Sequence, residues 1–141
     1  MTSNGSPGAS PSGARDAARV RIERAFASND FASVASEREA LLAAVEAAVD
    51  ELDRGTLRVA EKLGGQWVTH VWLKQAILLY FRLRGLTTTT IGPFEFHDKV
   101  PLKTGFAAAG VRAVPHALCR YGAHLEPGVV LMPSYVNIGA R

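Results

Sequence analysis

Cysteine is almost absent from this sequence, since Cys119 is the only one among 141 residues. A single cysteine cannot form a disulfide within one chain, and it disfavours a zinc site built on thiolates. A lone cysteine can serve as a nucleophile, but a small, buried side chain is the commoner role for a free thiol. We therefore predict a structural Cys119.

Long hydrophobic runs are absent as well. No stretch approaches the roughly 18 to 20 apolar residues of a membrane-spanning helix. The first 13 residues are rich in glycine, serine and proline, and they lack the apolar core of a secretory signal. Residues 1–13 are predicted to form a solvated, disordered tail. The expected location is the cytoplasm, with no membrane partner.

Histidines are few, and their spacing carries no metal-binding pattern. None of them forms a helical pair of the HExxH type. We expect structural histidines rather than metal ligands or a catalytic base, and we predict no metal site. The four are His70, His97, His116 and His124.

The charge is mildly basic, with 16 lysine and arginine residues against 13 acidic ones and a net charge of +3. Most basic residues stand beside acids, as Arg38 does between Glu37 and Glu39. A nucleic-acid groove needs a basic stripe with interleaved aromatic side chains, which the sequence lacks. We therefore predict no nucleic-acid partner, whereas a small anionic substrate is compatible with this charge.

Helical periodicity dominates the first third of the chain. Residues 14–27 place charges on one side and apolar residues near the other, namely Val20, Ile22 and Phe26. A second helix is predicted to begin at Ser36, because Ser36-Glu37-Arg38-Glu39 has the form of a capping box. Its apolar face consists of Leu41, Leu42, Val45, Val49 and Leu52. Gly55 is the expected C′ residue that ends it.

From Thr56 onward, apolar residues recur at every second position instead of at helical spacing. Alternating residues from Leu57, the Gly64-Gly65 pair and the returning Gln66-Trp67-Val68 predict a β-hairpin, because glycine tolerates positive φ at both turn positions. A third helix over residues 69–84 is apolar almost all round, so it is expected at the buried centre. Aromatic residues expected in a core or an interface are Trp67, Trp72 and Tyr80.

Beyond Gly85 the chain is predicted to be extended. The β-branched run Thr87–Thr90 is followed by the breaker Gly92-Pro93 and by weak alternation over Phe94–Val100. Residues 99–103 fit a strand edge or a loop, since Pro101 cannot donate to a β-ladder. Residues 104–110 fit one helical turn.

The C-terminal part alternates short apolar stretches with glycine and proline. Val130 and Val136 are six residues apart, as are Met132 and Ile138. Such a six-residue repeat is typical of a hexapeptide β-helix, whose coils bury their apolar side only against neighbouring coils.

Four segments in this order carry a familiar pattern. The longest is LRVAEKLGGQWVTHVWLKQAILLYF (57–81), and DKVPLK (98–103), GVRAVP (110–115) and VLMPSYVNIGA (130–140) follow it. Together they resemble the bacterial tetrahydrodipicolinate N-succinyltransferases. The resemblance covers residues 41–140, and the long segment contains two tryptophans, so chance similarity is a poor explanation.

The resemblance implies an α+β fold. A small, mainly α-helical N-terminal domain with a β-hairpin would be followed by the first coil of a left-handed parallel β-helix built from hexapeptide repeats. The implied boundaries are residues 14–110 for the helical domain and 111–141 for the start of the β-helix. Members of this family assemble as homotrimers, with active sites between adjacent β-helices.

The implied activity is the transfer of succinyl from succinyl-CoA to the amino group of ring-opened tetrahydrodipicolinate, in the diaminopimelate branch of lysine biosynthesis. An amine attacks the thioester carbonyl, a base removes its proton, and positioned donors stabilise the oxyanion. Succinyl-CoA is then a co-substrate, and no bound cofactor is expected. The catalytic acid and the CoA-binding surface are expected on later coils, so no catalytic residue is assigned.

One site residue follows from the resemblance. Arg112, within GVRAVP, matches the family arginine that binds the dicarboxylate substrate. A guanidinium presents a planar fork that holds a carboxylate bidentately and keeps its charge. The alternative is a surface arginine in an ordinary ion pair. Basic residues nearby that could face the same anion are Lys99, Lys103 and Arg120.

Three functions are open at this point. The chain is expected to be the N-terminal portion of the succinyltransferase and inactive alone. An alternative is a non-catalytic binding or assembly module that associates with a full-length hexapeptide-repeat trimer. A third is a hexapeptide-repeat acyltransferase acting on another acyl-CoA or amine, which the repeat alone would permit.

Overall fold

The computed structural model describes residues 11–28 and 35–141, which form three helices and eight short strands. In chain order the elements are α1 (Pro11–Ser28), α2 (Ala35–Arg54), β1 (Ala60–Leu63), β2 (Gln66–Thr69), α3 (Val71–Leu83), β3 (Thr87–Ile91), β4 (Phe94–Asp98), β5 (Arg112–Ala113), β6 (Leu118–Cys119), β7 (Val130–Leu131) and β8 (Tyr135–Val136). The β1–β2 and β3–β4 pairs are antiparallel, whereas β5–β7 and β6–β8 are parallel. The α+β class is confirmed.

Helix α1 begins earlier than predicted and includes Pro11–Gly13, which the sequence assigns to the tail. Proline is compatible with a first helical turn because its φ is already helical. The rest of the predicted tail, residues 1–10, lies outside the described residues. Ile22 is fully buried and Phe26 packs against the core, whereas Val20 is exposed and its predicted place near the apolar side is wrong.

Helix α2 confirms the predicted apolar face, since Leu41, Val45, Val49 and Leu52 are all buried. The predicted start is wrong, because the helix begins at Ala35 and Ser36 therefore lies in its first turn rather than at the cap. Alanine is a strong helix former, so the helix extends past the capping pattern. Residues 29–34, which precede it, are outside the described part.

The predicted end of α2 at Gly55 is confirmed. Gly55 has a φ of 77°, its N–H donates to the Leu52 carbonyl at 3.0 Å, and the Thr56 N–H donates to the Glu51 carbonyl at 3.0 Å. These two bonds are those of a Schellman motif, which needs a left-handed residue and therefore favours glycine.

The hairpin and the third helix also match their predictions. Strands β1 and β2 pair around Gly64 and Gly65, whose φ values are 56° and 84°. Helix α3 is the buried centre of the helical layer, and its buried residues are Trp72, Leu73, Ala76, Leu79, Tyr80 and Leu83. Trp67 is 74% exposed and therefore lies outside the core.

The predicted extended segment after Gly85 forms a second hairpin. Strand β3 pairs with β4 from Thr87 opposite Asp98 to Ile91 opposite Phe94, with Gly92-Pro93 as the turn. The predicted helical turn before residue 110 is present as well. Its hydrogen bonds join the Ala109 N–H to the Gly105 carbonyl at 3.1 Å and the Val111 N–H to the Phe106 carbonyl at 2.9 Å.

Residues 110–128 follow a six-residue rule in their backbone, which breaks further on: the next positive φ is at Gly139, and β6 pairs with β8 at an offset of 17 residues. Four residues spaced by six have positive φ between 67° and 87°, namely Gly110, His116, Gly122 and Gly128. Two sets of apolar side chains with the same spacing pack into one cluster: Val111, Ala117, Ala123 and Val129, and Ala113, Cys119, Leu125 and Leu131. In the parallel β5–β7 pair, Arg112 stands opposite Val130, 18 residues further on.

The apolar residues noted in the six-residue repeat do not all point inward. Val130 and Met132 are 51% and 61% exposed, whereas Leu131 between them is buried. Residues 129–132 are all apolar, so the sequence pattern could not decide which alternate residues point inward. Val136 does pack against the cluster, and Ile138 is buried in the helical core instead.

Asp53 joins the C-terminal segment to helix α2. Its Oδ1 accepts a hydrogen bond from the Gly122 N–H at 2.8 Å and lies 2.7 Å from the Lys103 Nζ. The Asp53 carbonyl lies 3.2 Å from the same Nζ and 3.2 Å from His124 Nδ1. We call these four residues the Asp53 junction.

Close packing supports the junction. A Cβ on Gly122 would lie 2.7 Å from Ile138 Cγ1 and 2.9 Å from Val49 Cγ1, so only glycine fits there without a shift. Asp53 and Gly122 thus fix the C-terminal segment against the helical layer. None of the described helices has the length and hydropathy needed to cross a membrane.

Candidate functional site

Arg112 lies on strand β5 with its side chain exposed. Its backbone is fixed, because its N–H donates to the Val129 carbonyl at 3.0 Å and the preceding Val111 is buried. Within the described residues, no carboxylate or carbonyl oxygen lies within hydrogen-bonding distance of its guanidinium. No contact among the described residues therefore supports the alternative of an ordinary ion pair, and the Arg112 guanidinium is available to an external anion.

The three basic residues near Arg112 in sequence are already engaged elsewhere. Lys103 is held in the Asp53 junction, where only 10% of its side chain is exposed. The Lys99 Nζ donates to the Phe81 carbonyl at 2.8 Å, at the C-terminal end of α3. The Arg120 Nη2 donates to Asp98 Oδ2 at 2.6 Å, and its Nη1 to Asn137 Oδ1 at 3.2 Å.

Arg120 links the second hairpin to the C-terminal segment. Besides its bond to Asp98, its guanidinium lies 5.4 Å from the ring centroid of Phe81 and 5.7 Å from that of Tyr135. Cation–π contacts of this kind add to the ion pair and hold the guanidinium in place. Arg120 and Lys99 line a cavity beneath β3 and β4, whereas Arg112 does not. The structure therefore does not bring the four predicted basic residues together at one site.

Cys119 is buried, as predicted, and packs among the apolar side chains of the C-terminal cluster. Burial raises the pKa of its thiol, although the nearby Lys103 lowers it in part. A nucleophilic cysteine needs an exposed thiolate with a lowered pKa. The structure supports a packing role for this side chain.

The histidines have local structural partners. His70 Nε2 lies 2.7 Å from Glu61 Oε1, and His97 Nδ1 lies 2.8 Å from Thr88 Oγ1. His116 packs edge-on against Phe94 with 6.2 Å between ring centroids, and His124 belongs to the Asp53 junction. Across residues 11–28 and 35–141, no group of three His, Cys, Asp or Glu side chains is placed to hold a metal ion.

Two acidic residues that position this region were missed by the sequence analysis. Asp53 reaches partners 50 and 69 residues later in the chain, and Asp98 reaches a partner 22 residues later. No local pattern reports such long-range pairs. The only sequence indication for Asp98 is its place at the start of the DKVPLK segment.

The comparisons with known proteins agree with the resemblance. The family profile described as "Tetrahydrodipicolinate N-succinyltransferase N-terminal" matches residues 18–83. Several curated relatives carry the name 2,3,4,5-tetrahydropyridine-2,6-dicarboxylate N-succinyltransferase. The relative from Rhodospirillum rubrum is 50% identical over 131 residues, covering 87% of this chain and 46% of its own length. The relative from Idiomarina loihiensis is 48% identical over 129 residues (87% and 47%), and that from Bordetella pertussis is 46% identical over 127 residues (86% and 46%). The chain thus spans about half the length of the curated relatives it matches.

Proposed function

Because this chain belongs to the tetrahydrodipicolinate N-succinyltransferase family, we propose that it forms the N-terminal portion of an enzyme that transfers succinyl from succinyl-CoA to ring-opened tetrahydrodipicolinate. The observation that carries the proposal is the identity of 46–50% over 86–87% of the chain. Succinyl-CoA acts as co-substrate, no resident cofactor takes part, and the biosynthetic role places the enzyme in the cytoplasm.

The C-terminal segment is the first coil of a left-handed parallel β-helix, and the helical domain ends at residue 110. Three observations support this assignment. Residues with positive φ recur every six positions from Gly110 to Gly128. The inward apolar residues share that spacing. Strand β5 pairs with β7 at an offset of 18 residues. Three hexapeptides make one such offset, as expected when each turn of a hexapeptide coil has three sides.

Arg112 binds one carboxylate of the dicarboxylate acceptor. Support comes from its exposed guanidinium, which has no partner among the described residues, and from the strand pairing that fixes its backbone. A bidentate guanidinium–carboxylate pair is both strong and directional. It would orient the acceptor so that its amine can approach the thioester carbonyl. Lys103 and Arg120 are paired with Asp53 and Asp98 and support the fold around this site, whereas Lys99 donates only to the Phe81 carbonyl.

The functional assembly is a homotrimer with active sites between neighbouring β-helices. The exposed apolar side chains of the C-terminal segment support an interface there: Val130, Met132 and Tyr135. Exposed apolar side chains on a parallel coil mark a surface that further coils or subunits cover. The general base and the oxyanion donors belong to the half of the relatives' length that this chain does not span, so the 141-residue polypeptide alone is inactive.

The decisive experiment joins this chain to the remaining half of the Rhodospirillum rubrum relative. Release of CoA is followed with a thiol-reactive dye in the presence of tetrahydrodipicolinate. The chimera is expected to release CoA from succinyl-CoA much faster than from acetyl-CoA, and the 141-residue chain alone is expected to release none. A chimera that folds and forms trimers but does not turn over succinyl-CoA would contradict the proposal.

The second candidate function is a non-catalytic assembly module for a full-length trimer. It is favoured by the first hairpin, where Trp67 is 74% exposed and Leu63 is 51% exposed, as at many protein interfaces. Co-purification of the 141-residue chain with the full-length relative, lost in a Trp67→Ser variant, would support it. Absence of any complex would leave the enzyme portion as the remaining function.

A further inference from the structure

The second hairpin has one face turned towards a cavity rather than towards packed side chains. Alternate residues of β3 and their partners on β4 line this hairpin cavity, which has a volume of about 460 Å³. These residues are Thr87, Thr89, Ile91, Phe96 and Asp98. Leu118 and Tyr135, from the parallel β6–β8 pair, line it from the C-terminal segment.

The hairpin cavity has a polar end and an apolar end. The β-ladder runs from Thr87 opposite Asp98, through Thr89 opposite Phe96, to the strand end at Ile91. The other charged lining residues are Arg84, Lys99 and Arg120. Chain connectivity places Arg84 and Lys99 beside the Thr87–Asp98 end, and Arg120 is bonded to Asp98 there. The opposite end, near Ile91 and Phe96, is apolar.

The polar end carries one more cation than its carboxylates balance. Arg120 pairs with Asp98 at 2.6 Å, and Arg84 pairs with Glu46 at 2.8 Å. The Lys99 Nζ contacts only the Phe81 carbonyl at 2.8 Å, and no described carboxylate lies within ion-pair distance of it. A carbonyl dipole offsets part of a full charge, so an anion at this end would be favoured.

The apolar end lacks a packing partner. Ile91 is 53% exposed although it lies on the cavity face of the hairpin. Exposed apolar surface beside a charged group suits a ligand that has both characters, and the cavity volume falls within the range of about 300–1,000 Å³ that is usual for small-molecule sites.

We propose that the hairpin cavity binds an organic monoanion with an apolar body, such as an aromatic or alkyl carboxylate or sulfonate. The anionic group lies at the Arg84–Lys99–Arg120 end, and the apolar body lies against Ile91 and Phe96. Arg112 does not line this cavity. The site is therefore separate from the proposed dicarboxylate site.

The test uses two fluorescent probes on the 141-residue chain. 8-Anilinonaphthalene-1-sulfonate has an anionic group on an apolar body, and N-phenyl-1-naphthylamine is its uncharged counterpart. Saturable binding of the sulfonate to one site per chain is expected. Lys99→Met should weaken sulfonate binding about tenfold, the usual effect of losing a charge-assisted contact, and leave binding of the neutral probe unchanged. Lys74→Met, on the exposed face of α3, is the matched control and should change neither.

A second pair of variants tests the location independently of Lys99. Thr89→Phe fills the cavity face, whereas Thr90→Phe adds the same side chain to the outer face of the same strand. Both probes should bind Thr89→Phe at least about tenfold more weakly and Thr90→Phe within about twofold of the unaltered chain. Circular dichroism confirms that each variant is folded. Equal binding to the two threonine variants, or equal loss of both probes in Lys99→Met, would overturn the proposal.

Discussion

Replacing Asp53 with alanine should destabilise the chain strongly, because Asp53 satisfies two donors from distant segments. Lys103 would keep only the carbonyl contact at 3.2 Å, and the N–H of buried Gly122 would lose its acceptor. A hydrogen bond to a charged group contributes about 1.5–3 kcal/mol, and an unsatisfied buried donor costs about 1–3 kcal/mol. Since Lys103 and Asp53 retain side-chain exposures of 10% and 18%, we expect a net loss of about 2–4 kcal/mol.

Urea unfolding followed by tryptophan fluorescence measures this loss. The midpoint should fall while the slope stays unchanged, because the surface exposed on unfolding is the same. Arg54→Ala is the matched control, since Arg54 forms an exposed ion pair with Asp50 on the same helix, with side-chain exposures of 60% and 46%. Its removal should cost no more than about 0.5 kcal/mol.

A double-mutant cycle with Lys103→Met isolates the Asp53–Lys103 pair. The two single variants should together lose more than the double variant, with a coupling of at least about 1 kcal/mol. If Asp53→Ala costs no more than Arg54→Ala, or if the cycle shows no coupling, the Asp53 junction does not hold the two segments together and the reasoning is refuted.

Five further outcomes are expected from single positions. Gly122→Ala should cost about 2–5 kcal/mol in urea unfolding, because its Cβ would meet two core side chains and its φ is 86°. Gly64→Ala, with positive φ but open space around it, should cost only about 1 kcal/mol. His116→Gly should stabilise by about 0.5–1 kcal/mol, since His116 is the only non-glycine described with positive φ, and a melting curve that falls would contradict this. Cys119 should react with iodoacetamide at least about tenfold more slowly than a free thiol until the chain is unfolded, because burial raises its pKa. Burial and the hydrogen bond to Asp50 raise the pKa of Tyr121. The unfolded phenol therefore loses its proton first, stability should fall as pH rises above about 10, and Tyr121→Phe should reduce that fall.

The sequence predicted those features whose cause is local. The buried face of α2 follows from helical spacing, and its end follows from Gly55, where a left-handed residue is required. The first hairpin follows from Gly64 and Gly65, because both turn positions need positive φ. In each case the residues that decide the structure lie within a few positions of one another.

The register of the C-terminal repeat could not be predicted from its apolar residues. Val130 and Met132 fit a six-residue repeat as well as Leu131 does, and only the packed cluster shows that Leu131 points inward. The positive-φ positions indicate the repeat more clearly, since Gly110, Gly122 and Gly128 are spaced by multiples of six in the sequence itself. Histidine at position 116 hides the fourth member of that set.

The sequence could not show which basic residues of this region are paired, because their partners lie far away in the chain. Arg112 is exposed and without an internal partner among the described residues, as a substrate-binding role requires. Lys103 and Arg120 resemble it in the sequence but are paired with Asp53 and Asp98. Whether a basic side chain is free or paired depends on tertiary packing, which the sequence pattern does not report.

The most direct test of the account is the Michaelis constant of the chimeric enzyme for its dicarboxylate acceptor, measured with and without Arg112. Arg112→Ala should raise that constant about 10- to 100-fold, as expected for the loss of a bidentate charged pair. The Michaelis constant for succinyl-CoA should stay unchanged, and Arg58→Ala, another exposed arginine, should have no effect. An unchanged acceptor constant in Arg112→Ala would contradict the assignment of this chain as the dicarboxylate-binding part of a succinyltransferase.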